Sequence, residues 1–259
     1  MDMTPDILAV LALVAVSAGF IDSIAGGGGL LTIPALMAVG VPPVQAIATN
    51  KFQGTFGTGG AFLAYARKGH IDFAQYLPHA IVAAVGSAFG AWALQIIDPY
   101  FLAGLVPVLL IAMMIYYLAA PAVDDRDRRR SASLPLLFAA TAIIGFYDGF
   151  FGPGTGSFFT TMLILLGGLG LLRAIAHTKL LNFSTNLSAL VMMIASGKII
   201  WSAAVVMAIG SICGNQIGAH TAMRFNGRGV RPILILVSAA LTWKLLADPA
   251  NPLRLWIGI

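Results

Sequence analysis

Apolar segments separated by short polar or glycine-rich stretches run along the whole chain. A helix that crosses a bilayer needs roughly 20 mainly apolar residues, and most of these segments approach that length. The predicted segments, five on each side of a charged run near the middle of the chain, are Ile7–Ile24, Leu30–Val39, Ala46–Tyr65, Gln75–Ile97, Tyr100–Ala120, Leu134–Phe151, Ser157–Gly168, Arg173–Ser196, Trp201–Phe225 and Val230–Ala247. The pattern predicts an all-α fold, a polytopic membrane helix bundle.

Two of these segments, 30–39 and 157–168, are too short to cross a bilayer unaided. Each follows a cluster of glycines, Gly26–Gly29 in one case and Gly152–Gly156 in the other. Short segments interrupted by glycine or proline at matching places in two halves are typical of broken or re-entrant helices. The pattern leaves open whether they cross the membrane or return to the same side.

The two halves of the chain are also related in sequence. Three matches occur in the same order at a nearly constant offset: Gly19-Phe20-Ile21-Asp22 with Gly145-Phe146-Tyr147-Asp148, Gln45–Lys51 with Arg173–Lys179, and Gly86–Gly90 with Gly210–Gly214. We therefore predict a first transmembrane repeat in residues 1–120, a linker in residues 121–133 and a second transmembrane repeat in residues 134–259.

Charge supports the membrane interpretation and predicts an orientation. Of the 259 residues 59% are hydrophobic and 10% charged, with a formal charge of +5, whereas about 25% of residues are charged in soluble domains. If each half crosses an odd number of times, the halves are inverted and nearly all loop arginines and lysines fall on one side, as the positive-inside rule prefers. We therefore predict an outside N-terminus, a cytoplasmic Asp124–Arg130 loop, and lipid rather than nucleic acid around the protein.

The sequence gives no sign of an enzyme, a cofactor or a metal site. The chain has one cysteine and no glutamate, so an intrachain disulfide, a cysteine metal cluster and an H-E-x-x-H motif are excluded. The phosphate-binding P-loop and the G-x-S-x-G nucleophile elbow are missing as well. The one enzymatic alternative, an intramembrane hydrolase that combines Ser184 or Ser188 with His177, has no motif behind it.

Four charged residues fall inside or beside predicted membrane segments: Asp22, Lys51, Asp148 and Lys179. Such residues cost about 2.5–3.5 kcal/mol each at a helix centre, which indicates a function. Glycines bring backbone N–H groups close to a ligand, and the N-terminus of the following short helix favours an anion. The predicted substrate-binding residues are Gly26, Gly27, Gly28, Gly29, Thr49, Asn50, Lys51, Gln53, Gly152, Gly154, Gly156, Thr178, Lys179 and Asn182, with Asn186 as a further neutral donor.

Ion or proton coupling is predicted for Asp22, Asp148 and His177, the last because imidazole titrates near neutral pH. Structural roles are open alternatives for all of these residues. The glycines serve close helix packing in that case, and the lysines extend to the membrane interface. The two aspartates then cap helices or pair with the lysines, and His177 takes a packing or hydrogen-bonding role.

The stretch Gly19–Leu36, together with Ala46-Ile47-Ala48-Thr49-Asn50-Lys51, resembles the first-half signature of the TauE/SafE transporters, the sulfite exporters. Gly145–Gly156 and His177–Asn182 resemble the repeat of that signature in the second half. The resemblance covers Ile7 to Ala247 and implies a bacterial inner-membrane protein that moves sulfite or organosulfonates without hydrolysing ATP. It also implies a homodimer.

The leading hypothesis is a secondary transporter, an exporter of small sulfur-containing anions that works by alternating access around the two glycine clusters. The alternatives are a passive anion channel, a transporter of an unrelated small anion, and a structural or assembly protein in which the glycines only pack. The sequence leaves the substrate, the coupling ion and the direction of transport open.

Overall fold

A computed structural model describes residues 3–119, 126–127 and 131–225, with isolated positions at 239, 243, 247, 252 and 253. These residues contain nine helices and no strand, which confirms the predicted all-α fold. In chain order the helices are α1 (Pro5–Ala25), α2 (Gly29–Ala38), α3 (Pro43–Arg67), α4 (Phe73–Ile96), α5 (Pro99–Ala119), α6 (Leu134–Phe150), α7 (Thr155–Leu165), α8 (Leu171–Ser196) and α9 (Trp201–Phe225). Apart from isolated positions, the predicted segment Val230–Ala247 lies outside the described residues.

Local sequence signals set the ends of several helices. Thr4 caps α1 through its hydroxyl, with proline at the first helical position, and Asp72 caps α4 by accepting the Gln75 N–H at 3.1 Å. Both are common N-terminal signals. Gly26 ends α1 at φ 74°, a left-handed conformation that glycine adopts without a steric penalty.

The helices differ in how well they suit a membrane. Among the described residues, four stretches are long and apolar enough to span it: Pro5–Ile24, Phe73–Ile96, Pro99–Tyr116 and Trp201–Arg224. The helices α3 and α8 have 25 and 26 residues, but many of their buried residues are polar. The helices α2 and α7 have only 10 and 11 residues, as predicted for the segments after the glycine clusters.

Equivalent helices of the two halves make equivalent contacts. Helix α1 packs most extensively on α9, and its counterpart α6 packs on α4, so each first helix lies against the fourth helix of the other half. Helices α3 and α8 pack on one another. Helix α3 also contacts α9 and its own neighbour α2, and α8 also contacts α4 and its own neighbour α7. The predicted inversion of the halves relative to the membrane stays a prediction.

Glycines make these helix contacts close. A Cβ on Gly149 of α6 would lie 1.9 Å from the Ser87 carbonyl oxygen of α4, and one on Gly214 of α9 would lie 2.0 Å from the Val16 carbonyl oxygen of α1. Small residues let helix backbones approach in this way throughout membrane bundles. One of these glycine contacts joins α6 to α4 and the other joins α9 to α1, so both connect the two halves of the chain.

Part of the predicted linker is anchored to the second half. Asp127 accepts the Gly170 N–H at 2.7 Å and the Arg173 guanidinium at 2.6 Å, and both lower the pKa of its carboxyl group. Both side chains of this pair are nearly half exposed. The contact fixes the linker beside the start of α8, while most of the Asp124–Arg130 run lies outside the described residues.

Candidate substrate site

Residues 26–29 and 152–156, which we call the two glycine tips, meet inside the bundle. A Cβ on Gly26 would lie 2.4 Å from the carbonyl carbon of Gly156, and one on Gly156 would lie 2.4 Å from the Cα of Gly26. Real Cβ atoms do not approach other atoms this closely, so the backbones touch because neither residue has a side chain. The structure thus brings together the two clusters that the sequence singled out.

Two buried ion pairs cross between the halves beside the tips. Lys51 Nζ of the first half lies 2.7 Å from Asp148 Oδ1 of the second, and Lys179 Nζ of the second lies 3.0 Å from Asp22 Oδ2 of the first. The pairs are equivalent under the repeat, because Asp22 matches Asp148 and Lys51 matches Lys179. Pairing of the aspartates with the lysines was one of the structural alternatives that the sequence left open.

The two pairs differ in how well the carboxylate is enclosed. Asp148 is 4% exposed as a side chain, and it also accepts hydrogen bonds from the hydroxyls of Thr155 and Thr185. Asp22 is 15% exposed, and among the described residues it accepts only the Gly28 N–H, at 3.3 Å, besides its lysine. Asp148 is therefore the more enclosed of the two carboxylates.

Lys179 also donates a hydrogen bond to the backbone carbonyl of Asp22. This carbonyl belongs to the last turn of α1, where the helix dipole favours a positive charge. Lys51 reaches the equivalent place in the other half, since a Cβ on Gly152 would lie 2.9 Å from its Nζ. Each lysine thus places its positive charge at the negative C-terminal end of the first helix of the opposite half, Lys179 at α1 and Lys51 at α6.

A polar cavity of about 40 Å³ lies between the tips and helices α1, α3, α8 and α9. On this measure one water molecule needs roughly 10–15 Å³, so the cavity suits a small ion or a few waters. Of the predicted site residues, those that line it are Asp22, Gly26, Gly28, Gly29, Asn50, Gln53, Asp148, Gly152, Gly154, Gly156 and Asn182. Asn186, proposed as a neutral donor, lines it as well.

Both hydrogen-bond donors and acceptors at this cavity have no protein partner. The backbone N–H groups of Gly29 and Gly156, at the starts of α2 and α7, have no acceptor among the described residues. Such N–H groups are left over at every helix start. In the described part of the chain three side-chain oxygens, Gln53 Oε1, Asn182 Oδ1 and Asn215 Oδ1, are buried without a donor. These groups can bind a ligand.

Other predicted residues lie outside the lining. Lys51 and Lys179 lie behind it in their ion pairs, and Gly27 is also absent from it. The Thr49 hydroxyl accepts the Ile200 N–H at 3.1 Å, and the Thr178 hydroxyl lies 3.0 Å from that of Thr160. These two threonines join neighbouring elements.

His177, a predicted proton carrier, also lies away from the cavity. Its Nε2 accepts the Asp72 N–H at 2.9 Å, and its Nδ1 lies 2.7 Å from the Arg173 carbonyl. The ring also packs on Tyr76, with 4.0 Å between ring centroids. Because one nitrogen accepts and the other donates, these contacts favour the neutral ring and tie the start of α4 to α8.

Sequence reasoning missed the contribution of α9. Ser211 and Asn215 line the cavity together with Thr155, Thr58, Gly54, Gly19 and Ala18. A signal was available for Asn215, an amide that is 1% exposed inside an apolar segment, since polar residues inside membrane helices are costly. Its counterpart in the first half is Ala91, so the repeat comparison itself gave no warning.

The comparisons with known proteins give one family and several relatives. The family model of the sulfite exporter TauE/SafE matches residues 11–245. A probable membrane transporter protein, ORF9, from a Sinorhizobium species is 45% identical over 99% of both chains. The probable membrane transporter protein YfcA of Escherichia coli K12 is 40% identical over 99% of this chain and 96% of its own. No solved structure matches.

Proposed function

The chain belongs to the TauE/SafE family of membrane transporters, and from that premise we propose that it exports a small sulfur-containing anion, such as sulfite or an organosulfonate. It is a multi-pass protein of the bacterial inner membrane. Under the proposal it is a secondary transporter, which binds the anion between the two glycine tips and exposes it to the two membrane faces in turn.

The observation that carries the proposal is the meeting of two helix N-termini at one buried cavity. Gly29 and Gly156 each bring an unpartnered N–H group and the positive end of a helix dipole to its lining. Paired N–H donors of this kind bind oxyanions without help from a formal charge. The buried amide of Asn182, beside Gly156, supports the same conclusion because it can turn its NH₂ group toward an anion.

The lysines have an indirect role in this proposal. Lys51 and Lys179 cancel the charges of Asp148 and Asp22, so that no net negative charge repels an anion from the cavity. They also hold the two halves together across the tips. When the halves move apart, each lysine is released from its aspartate and becomes available to the anion.

The narrow cavity and the two ion pairs that join the halves beside it support a carrier rather than an open channel. A carrier must break and remake such contacts in every cycle, which limits its turnover to the μs–s timescale of collective motions. Saturable counterflow of sulfite in proteoliposomes is therefore expected. Large single-channel currents would instead establish the alternative, a passive anion channel.

Tracer flux of radioactive sulfite in proteoliposomes tests the proposed function. We expect Lys51→Ala and Lys179→Ala to lose at least about tenfold in flux, since each leaves a carboxylate beside the cavity unpaired. Lys198→Ala is the matched control, because this lysine lies in the α8–α9 loop and is exposed. Unchanged flux in both variants would remove the lysines from the mechanism.

A further inference from the structure

The cavity offers buried acceptors as well as donors. Asn215 is 1% exposed, and Gln53 and Asn182 are each 4% exposed. The side-chain oxygen of each nevertheless has no donor among the described residues. A buried acceptor left without a partner is costly, and three at one cavity is unusual for a native protein. A ligand that carries its own hydrogen-bond donor would satisfy at least one of them.

The orientation of the Asn215 amide is fixed by its neighbours. Its Nδ2 donates to the carbonyl oxygen of Ser211 at 3.0 Å, which can only accept. Turning the amide over would place two oxygens against each other, so Oδ1 must be the atom that is left without a donor. Asn215, which lines the cavity, therefore keeps an unpartnered acceptor whichever way the other two amides are turned.

The charged groups around the cavity sum to zero. Asp22 on α1 and Asp148 on α6 each face it, and each is paired with a lysine, Lys179 on α8 and Lys51 on α3. Helices α2 and α7 have no charged residue, and on α9 the charged or titratable residues, Cys213, His220 and Arg224, are exposed. An anion that enters thus brings uncompensated charge, and the Born cost of that charge rises with its square.

We infer that the cavity binds its anion in the singly charged, protonated form. The O–H of the anion donates a hydrogen bond to one of the unpartnered amide oxygens of Asn215, Gln53 and Asn182. The inference rests on the proposed function and specifies its substrate. A dianion would cost roughly four times the Born energy of a monoanion and would leave the acceptors unpartnered. Hydrogensulfite meets both requirements, whereas sulfite and sulfate dianions meet neither.

Proton coupling then needs no titrating side chain. Sulfite exists near neutral pH as a monoanion and a dianion, and only the monoanion would be carried. The proton crosses with the substrate and is released on the other side. Sulfite transport should therefore depend on pH even though both carboxylates are ion-paired.

Binding to the purified protein, measured by calorimetry across pH 6–9, tests the inference with four probes: sulfite, methanesulfonate, sulfate and hydroxymethanesulfonate. Sulfite affinity, calculated on total sulfite, should fall by about tenfold per pH unit once the monoanion is the minor species. Methanesulfonate, a monoanion at every pH tested, should bind with an affinity that does not change with pH. Sulfate, a dianion throughout, should not bind measurably. A methanesulfonate affinity that falls in parallel with that of sulfite would place the titration in the protein and overturn the inference.

Hydroxymethanesulfonate differs from methanesulfonate by one hydroxyl donor, so it tests the unpartnered acceptors directly. We expect it to bind about tenfold more tightly than methanesulfonate, the value of one good hydrogen bond. In Asn215→Leu the advantage should disappear, so that the two sulfonates bind with equal affinity. Gln95→Leu is the control, because Gln95 donates to Ala91 O within α4 and does not line the cavity. Equal binding of the two sulfonates by the unmodified protein would mean that water satisfies Asn215.

Failure of this inference and failure of the proposed function give different results. If none of the four probes binds, and sulfite is not transported, the proposed function itself is wrong. If sulfate binds as well as sulfite, or sulfite affinity rises with pH, the protein is an anion transporter that takes the dianion.

Discussion

At the residue scale, Lys51–Asp148, the more enclosed of the two ion pairs, gives the sharpest stability prediction. Lys51→Met leaves the carboxylate of Asp148 buried, without its charge partner, and should destabilise the protein by about 3–5 kcal/mol. The double variant Lys51→Met, Asp148→Asn removes both charges and should recover most of that loss. The thermal unfolding midpoint in detergent micelles measures both.

The exposed pair Arg173–Asp127 is the natural control for this experiment. Its side chains are nearly half exposed, and solvent-exposed pairs contribute about 0–1 kcal/mol. Arg173→Met should therefore shift the midpoint only slightly. A double variant at the buried pair that is no more stable than Lys51→Met alone would show that the charges do not act as a pair.

At the element scale, the helices could be predicted well and their partners could not. The short helices α2 and α7 follow from glycine clusters that interrupt apolar runs, a property of the local sequence. The cross-half pairs Lys51–Asp148 and Lys179–Asp22 join residues far apart in the chain, so only the packed bundle selects them from the alternatives. Asn215 was not predicted because its counterpart in the first half is Ala91, so the comparison of the repeats did not single it out.

The contact between the glycine tips predicts unequal effects of alanine substitutions. Gly156→Ala has no positive φ to strain, but its Cβ would clash with the Gly26 backbone at 2.4 Å. Gly69→Ala has the opposite combination, a φ of 72° with nothing within 4 Å. We expect Gly69→Ala to cost about 1–2 kcal/mol with normal sulfite flux, and Gly156→Ala to abolish flux.

Gly26→Ala combines both effects, because φ is 74° and the Cβ would lie 2.4 Å from Gly156. It should therefore be the least stable of the three variants by thermal unfolding. Flux and the unfolding midpoint are measured on the same preparations, so loss of folding is separated from loss of transport. Normal flux in Gly156→Ala would show that the tips need not touch during transport.

At the scale of the whole molecule, the predicted inversion of the halves fixes which loops share a side of the membrane. Lys68, after α3, should face the cytoplasm, and Lys198, before α9, should face the outside. Single cysteines at these positions, in a background with Cys213 replaced by alanine, should react with impermeant thiol reagents only from those sides. Labelling of both from one side would exclude the inversion and favour parallel halves.

The asymmetry of the site predicts that alternating access exposes Asn215 and its counterpart Ala91 in turn. The repeat equates Asn215 on α9 with Ala91 on α4, yet Asn215 lines the cavity and Ala91 is fully buried. If the halves exchange conformations, Ala91 should line a second cavity beside Asp148, open to the opposite face, while the Asp22 side closes. In the Cys213→Ala background, we expect Ala91→Cys and Asn215→Cys to react with an impermeant thiol reagent from opposite sides, and sulfite to change the two rates in opposite directions. In a channel with one permanent pathway only Asn215→Cys would be labelled. Sulfite would then not slow the labelling of Asn215→Cys while speeding that of Ala91→Cys.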